Sequence, residues 1–224
     1  MKKSKTILIV AAHPDDEILG CGGTISKLVK DGYEAYTLIL GEGKTSRDIK
    51  SSKSQTKAFN KEIMQANKSI GVKKVFIENF PDNRFDSVDL LDIIKAVVKV
   101  KDEINPEIIF THYEKDLNID HQITYKAVIT ATRPMQDESV KEIYSFEILS
   151  STEWNYPLSF SPDTFFDISD TIKLKLNAMK QYKSELCSYP HPRSLKGIKL
   201  NASYQGMRVG KRAVEAFKSV RIIK

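Results

Sequence analysis

Thiol chemistry has little to work with in this chain. Its 224 residues include only Cys21 and Cys187, far apart and with no CxxC pair. That excludes a disulfide framework and leaves a cysteine metal site without support, so two buried free thiols in a reducing compartment are expected. No apolar run approaches the roughly 20 residues that a membrane span needs, and no membrane-spanning segment is expected. The basic start Met1-Lys2-Lys3-Ser4-Lys5 is followed by apolar residues, but the run from Ile7 to Ala12 is too short for a signal-peptide core and meets His13-Pro14-Asp15-Asp16 at once. A cytoplasmic protein is expected. Basic clusters interleaved with aromatics are also missing. The formal charge of +6 is scattered through predicted helices, which argues against a nucleic-acid partner and leaves some attraction for an anionic substrate such as a nucleotide sugar.

What is present is an ordinary globular composition, 41% hydrophobic and 29% charged, arranged as alternating strand and helix patterns. Strands are predicted over residues 5–11, 34–40, 74–77 and 107–111. Between them fall helices from Glu17 to about Asp31, from about Ser54 to Ile70, and from an N-cap at Ser87 to about Asp102. This order predicts an α/β fold: a Rossmann-like, doubly wound, mainly parallel sheet with helices on both faces and a C-terminal capping region. No repeat, low-complexity tract or linker divides the chain. One domain over residues 1–224 is expected, with 1–134 as the α/β core and 135–224 completing the site. In that last third, strands are expected at 143–149 and 164–168, a helix at 171–183, a loop at 188–199 and a final helix at 203–219. Gly20, Gly22 and Gly23 lie inside the first helix rather than in the strand-to-helix loop, so they fit close packing better than a dinucleotide fingerprint.

The informative stretch is Ala12-His13-Pro14-Asp15-Asp16-Glu17, which follows a strand that looks buried on both faces. Strand C-termini of open α/β sheets are where such folds place ligands. An imidazole and a carboxylate are ordinary zinc ligands, and a catalytic zinc needs three protein ligands with one position open. With two adjacent aspartates, one can bind metal while the other acts as general base toward a water whose pKa the metal lowers. The stretch Thr111-His112-Tyr113-Glu114-Lys115-Asp116-Leu117-Asn118-Ile119-Asp120-His121 follows the fourth strand and emerges at the same sheet edge. Asp120 is expected to cap a helix from His121 to Ala131, and His121 would complete a set with His13 and Asp16. A plain capped helix start stands as the alternative.

His-Pro-Asp-Asp-Glu after the first strand, with Asp-x-Asn-x-Asp-His after the fourth, resembles the PIG-L/LmbE family of zinc-dependent N-deacetylases. The resemblance extends to Gly41-Glu42-Gly43 with Arg47, to Phe80-Pro81-Asp82-Asn83 and to Ala213-Val214-Glu215-Ala216-Phe217. It implies that His13, Asp16 and His121 bind Zn2+, with Fe2+ or another divalent ion as the alternative, and that Asp15 is the general base. It implies a small N-acylated amino sugar or conjugate as substrate, in some cases nucleotide-linked, and homo-oligomers occur among such relatives. Family members carry a histidine three residues before the last ligand that stabilises the oxyanion; here Asn118 stands there. His191, held between Pro190 and Pro192, is the preferred substitute, ahead of His112 at the end of strand four, which is read as structural.

Several further residues have both a functional and a plain structural reading. Arg47 resembles a family arginine near the site and suits a phosphate, a hydroxyl or a carboxylate; it could equally be a solvated loop residue. Asp82 and Asn83 could bind sugar hydroxyls or form a turn. Asp116 could orient a ligand histidine from behind. Glu17 could do the same or favour a helix N-terminus. Trp154 and Tyr156 could stack on a sugar ring or pack in their loop. The loop 41–54 is long enough to cover a site. The resulting expectation is a metal-dependent hydrolase that removes an acyl group, acetyl above all, from an amino sugar. An amidase or deformylase acting on another small amide, and a non-catalytic sugar- or nucleotide-binding module, are the alternatives.

Overall fold

The structure is a computed structural model and describes residues 5–41 and 53–224. Strand β1 (Thr6–Ala11) is an interior strand of the sheet. Its side chains alternate between two cores: Ile7 and Ile9 enter one, Leu8 and Val10 the other, and all four are fully buried. A strand buried on both faces must be apolar throughout, as this one is. Helix α1 (Asp16–Lys30) leads to β2 (Glu34–Gly41), and α2 (Lys53–Ser69) to β3 (Lys74–Phe80). Helix α3 (Leu90–Ile104) leads to β4 (Ile108–His112), and α4 (Ile119–Ala131) to β5 (Glu142–Phe146). These five strands run parallel.

Beyond them come β6 (Thr164–Asp167), α5 (Ile172–Met179), α6 (Leu195–Met207) and β7 (Val214–Ile222). The sheet order is β3-β2-β1-β4-β5-β7-β6, with β7 antiparallel to both of its neighbours. Residues of α1, α2 and α5 fill one core, and those of α3 and α4 fill the other. The expected doubly wound, mainly parallel sheet is therefore present. Because β1 pairs with β2 on one side and β4 on the other, the order reverses there, and the C-terminal ends of β1 and β4 border the crevice in which such sheets bind ligands.

Glycines make the close packing of α1 achievable. A Cβ on Gly20 would come within 2.4 Å of the Phe146 ring, and one on Gly23 within 2.8 Å of Ile168. A buried ion pair also enters this helix: Lys175 donates to Leu19 O at 2.7 Å and to Glu215 Oε1 at 2.5 Å, while Glu215 accepts the Gly23 and Thr24 N–H groups.

Four expectations fail. The helix expected at 203–219 is instead the end of α6 followed by β7. Gly206 lets the chain turn closely against Lys211 O, Gly210 takes a positive φ of 70°, and Val214, Ala216 and Phe217 pair in the sheet. The loop expected to run to 199 ends at Ser194, whose Oγ accepts the Gly197 N–H and starts α6. Ser87 is not an N-cap: it closes a 3-10 turn, Val88 is extended, and α3 begins after Asp89. Cys187 is exposed, and only Cys21 is buried.

Candidate functional site

The loop after β1 brings His13, Asp15 and Asp16 to the sheet edge. Asp16 Oδ2 accepts the His13 N–H at 2.8 Å, which closes the turn. The loop after β4 brings Asp116, Asn118 and His121 alongside. Asn118, not Asp120, caps α4: its Oδ1 accepts the Asp120 N–H at 2.8 Å. The Asp120 carboxylate is thereby free for tertiary contacts; Oδ1 accepts the Phe85 N–H and Oδ2 meets His13 Nε2 at 2.9 Å.

Three donor atoms converge. His13 Nδ1 lies 3.3 Å from Asp16 Oδ2, His121 Nε2 lies 3.4 Å from the same oxygen, and the two nitrogens are 3.3 Å apart. The other nitrogen of each ring faces a carboxylate. His13 Nε2 faces Asp120 and, at 3.1 Å, Asp82 Oδ1; His121 Nδ1 faces Asp116 Oδ1 at 3.0 Å. With both ring protons on these outer nitrogens, three lone pairs would point at one another, an arrangement that a cation relieves. Ligands at about 2.0–2.1 Å around a tetrahedral zinc stand roughly 3.3–3.4 Å apart, which the observed triangle matches. Asp16 Oδ1 is buried and has no hydrogen-bond partner. The residues present thus fit a divalent metal, and the carboxylates behind both histidines are the orienting groups that metal-binding imidazoles use.

The electrostatics show that this cluster of carboxylates attracts positive charge. Burial disfavours a charged His13 ring, yet its bonds to Asp120 and Asp16 and the nearby Asp82 push its pKa up to about 10. Asp16 is held low: burial opposes its charge, and His121 and His112 outweigh that. Asp15 is pushed well above the usual carboxylate range, first by burial and next by Asp16, with Arg193 pulling the other way. Asp116 is tied down by the Ser151 and Thr152 hydroxyls and by the Asn118 N–H.

Asp15 sits in the left-handed region, at φ 102°. Its N–H is accepted by Glu17 Oε2 at 3.0 Å, and Glu17 Oε1 in turn accepts Asn67 Nδ2 at 2.8 Å and the Tyr182 hydroxyl at 2.5 Å. Glu17 therefore supports the turn from beneath rather than facing the ligand triangle. Burial pushes its carboxyl up to about 7, although the Tyr182 bond opposes the shift.

The structure brings together His13, Asp15, Asp16, Asp82, Asp116 and His121. Asn83, at φ 54°, accepts Asn118 Nδ2 at 2.9 Å. His191 packs its ring edge-on against Trp154 at 5.7 Å and accepts the Arg193 N–H; none of its hydrogen bonds reaches the triangle. Arg47 and most of loop 41–54 lie outside the described residues. His112 is fully buried, accepts the Ala12 N–H at 2.8 Å and stacks on His121 with centroids 4.0 Å apart, so it forms the back wall of the site. Two residues gain roles that sequence reasoning did not give them: Asp120, read only as a cap, and Arg193, whose Nη1 lies 3.2 Å from Asp15 Oδ2. The signal for Arg193 is its place in the Pro190-His191-Pro192-Arg193 loop, two residues after the candidate histidine.

A family model described as PIG-L, GlcNAc-PI de-N-acetylase, matches residues 8–132. The chain is 28% identical over 187 residues to the uncharacterized deacetylase YaiS of Escherichia coli, covering 81% of this chain and 92% of that protein. It is 29% identical over 188 residues to a probable N-acetyl-alpha-D-glucosaminyl L-malate deacetylase 2 of Bacillus cereus, covering 80% and 83%. Among solved structures, the N,N'-diacetylchitobiose deacetylase of Pyrococcus horikoshii shares the fold, with a TM-score of 0.77 at 22% identity over 98% of this chain and 85% of that one.

Proposed function

Because the chain belongs to the PIG-L family of de-N-acetylases, we propose that it is a zinc-dependent hydrolase that removes an acetyl group from the amine of an amino sugar or its conjugate. The observation that carries this reading is the triangle of possible metal-donor atoms on His13, Asp16 and His121, with the carboxylate of Asp15 on the adjacent residue. The names of the relatives, which act on N-acetylglucosaminyl and diacetylchitobiose substrates, support the sugar. The continuous sheet, drawing strands from Thr6 to Ile222, supports one domain, and the free cysteines support a cytoplasmic setting.

His13, Asp16 and His121 would hold the metal. When bound, a divalent ion supplies Lewis acidity toward water and toward the acyl carbonyl. Asp120 and Asp82 behind His13, and Asp116 behind His121, hold each ring proton away from the centre and so keep the inward nitrogens available. Asp15 takes the proton of the attacking water as the oxygen adds to the carbonyl carbon, then returns it to the nitrogen as the C–N bond breaks, leaving acetate and a free amine. Asp82 and Asn83 line the same turn and are assigned to sugar hydroxyls.

Metal analysis joined to an amine-release assay tests this. N-acetylglucosamine, its nucleotide-linked form and N-formyl analogues are the substrates, with wild type beside Asp15→Ala and His121→Ala. About one zinc per chain, amine release, and an Asp15→Ala variant that keeps metal but loses turnover are expected. Absence of metal together with survival of every amide after zinc is restored would overturn the reading.

A further inference from the structure

We propose that Arg193 is the positioning residue of the base: it holds Asp15 by one carboxylate oxygen so that the other faces the attacking water. The inference rests on the deacetylase reading above. Arg193 is fixed at both ends of its guanidinium. Nε donates to Ser150 Oγ at 2.8 Å and to Leu149 O at 3.3 Å, and Nη1 donates to Asp15 Oδ2 at 3.2 Å. These acceptors come from two segments far apart in sequence, so the planar fork cannot turn without breaking one of them. A guanidinium stays charged throughout the working pH range, and its hold on Asp15 is therefore permanent.

Asp15 needs such a hold. Its backbone is in a left-handed conformation that a non-glycine residue rarely adopts. Glu17 secures the backbone N–H, but that bond says nothing about where the carboxylate points. Among the described residues, Arg193 is the one side chain that bonds the Asp15 carboxylate, leaving Oδ1 for a proton.

The other polar groups of the site are committed elsewhere. The Asn118 amide uses its oxygen on Asp120 N and its nitrogen on Asn83. His112 is fully buried, with Nε2 engaged by Ala12 N. His191 accepts the Arg193 backbone N–H through Nδ1 at 3.2 Å, which ties the loop histidine to the arginine's backbone.

The test compares wild type with Arg193→Lys, Arg193→Gln and Arg193→Ala, reading kcat, KM, zinc content and melting temperature on a deacetylation substrate that wild type turns over. Misplacing a reacting group by about 1 Å can cost about 10²-fold. We expect Arg193→Ala and Arg193→Gln to lose kcat on that scale, with KM within a few-fold of wild type and zinc retained. Arg193→Lys should keep part of the rate, and millimolar guanidinium added to Arg193→Ala should restore part of kcat. A purely structural role would not give that rescue. If Arg193→Ala does not fold, Lys and Gln variants with equal kcat overturn the inference and a gap of about tenfold in favour of Lys supports it. Wild-type kcat in Arg193→Ala, or a loss confined to KM, overturns it while leaving the deacetylase reading intact. A wild-type protein that releases no amine from any substrate removes both.

Discussion

Asn118 donates its side-chain N–H to Asn83 Oδ1 at 2.9 Å, so the residue that caps α4 also ties down the turn after β3. The amide supplies both the acceptor for the cap and the donor for this tie. Removing a side-chain cap costs about 1 kcal/mol. Asn118→Ala should lose about that much in urea unfolding, whereas Asn118→Asp keeps the cap and should lose less. Equal losses in the two variants would show that the cap is not what Asn118 contributes.

Metal should stabilise the fold as well as serve the chemistry, since the three ligand residues are brought together only in the folded chain. A ligand present at 100 times its Kd adds about 2.7 kcal/mol. Chelated wild type should melt lower and recover with zinc, and His121→Ala should show no zinc-dependent shift. Calorimetry with and without zinc reads this directly.

The Lys175–Glu215 pair predicts a large stability loss far from the chemistry. Lys175 is buried and, among the described residues, its ammonium bonds to Glu215 and Leu19 O. Removing one partner of such a pair costs about 3–5 kcal/mol, roughly 10 °C in a domain of this size. Lys175→Met should show that fall. Lys175→Met with Glu215→Gln should regain part of it, because Gln keeps an acceptor for the α1 N–H groups without a buried charge.

Acid sensitivity should be traceable to Asp163. Burial opposes its charge, but bonds from Lys218, Ser219 and Thr164 outweigh it and lower its pKa from 3.8 to about 2. A carboxyl depressed on folding stabilises above its unfolded pKa and loses that contribution as pH falls through the folded value. The difference in urea midpoint between wild type and Asp163→Asn should be constant from pH 5 to 7 and shrink from about pH 4 toward 2. A difference that grows on acidification would contradict the assignment.

Much of this was legible from local pattern. Ile7 to Val10 announced a strand buried on both faces, and the His13–Asp16 and Asp116–His121 stretches fell at strand ends, where chain direction alone brings them to one edge. The second half of the sheet was harder. Residues 203–219 carry apolar spacing compatible with a helix, and the decision for strand came from pairing with β5 and β6, which no local window contains. Asp120 looked like a cap because aspartate before a helix usually is one; only the competing Asn118 displaced it. Arg193 was invisible in its role because its partner Asp15 lies at the other end of the chain, and ion pairs of that separation leave no local trace.

The buried pair that answers the α1 backbone has a consequence for synthesis. A nascent chain that has emerged through residue 132 already holds His13, Asp16 and His121, yet Tyr182, Arg193 and Glu215 are still unmade. Until Tyr182 and Arg193 follow, the Asp15 turn has neither its Tyr182-backed floor nor its arginine, and until Glu215 follows, Gly23 N and Thr24 N wait for their partner. The ligand residues are translated early, whereas the side chains that hold the turn beside them, Tyr182 and Arg193, are translated only after all three.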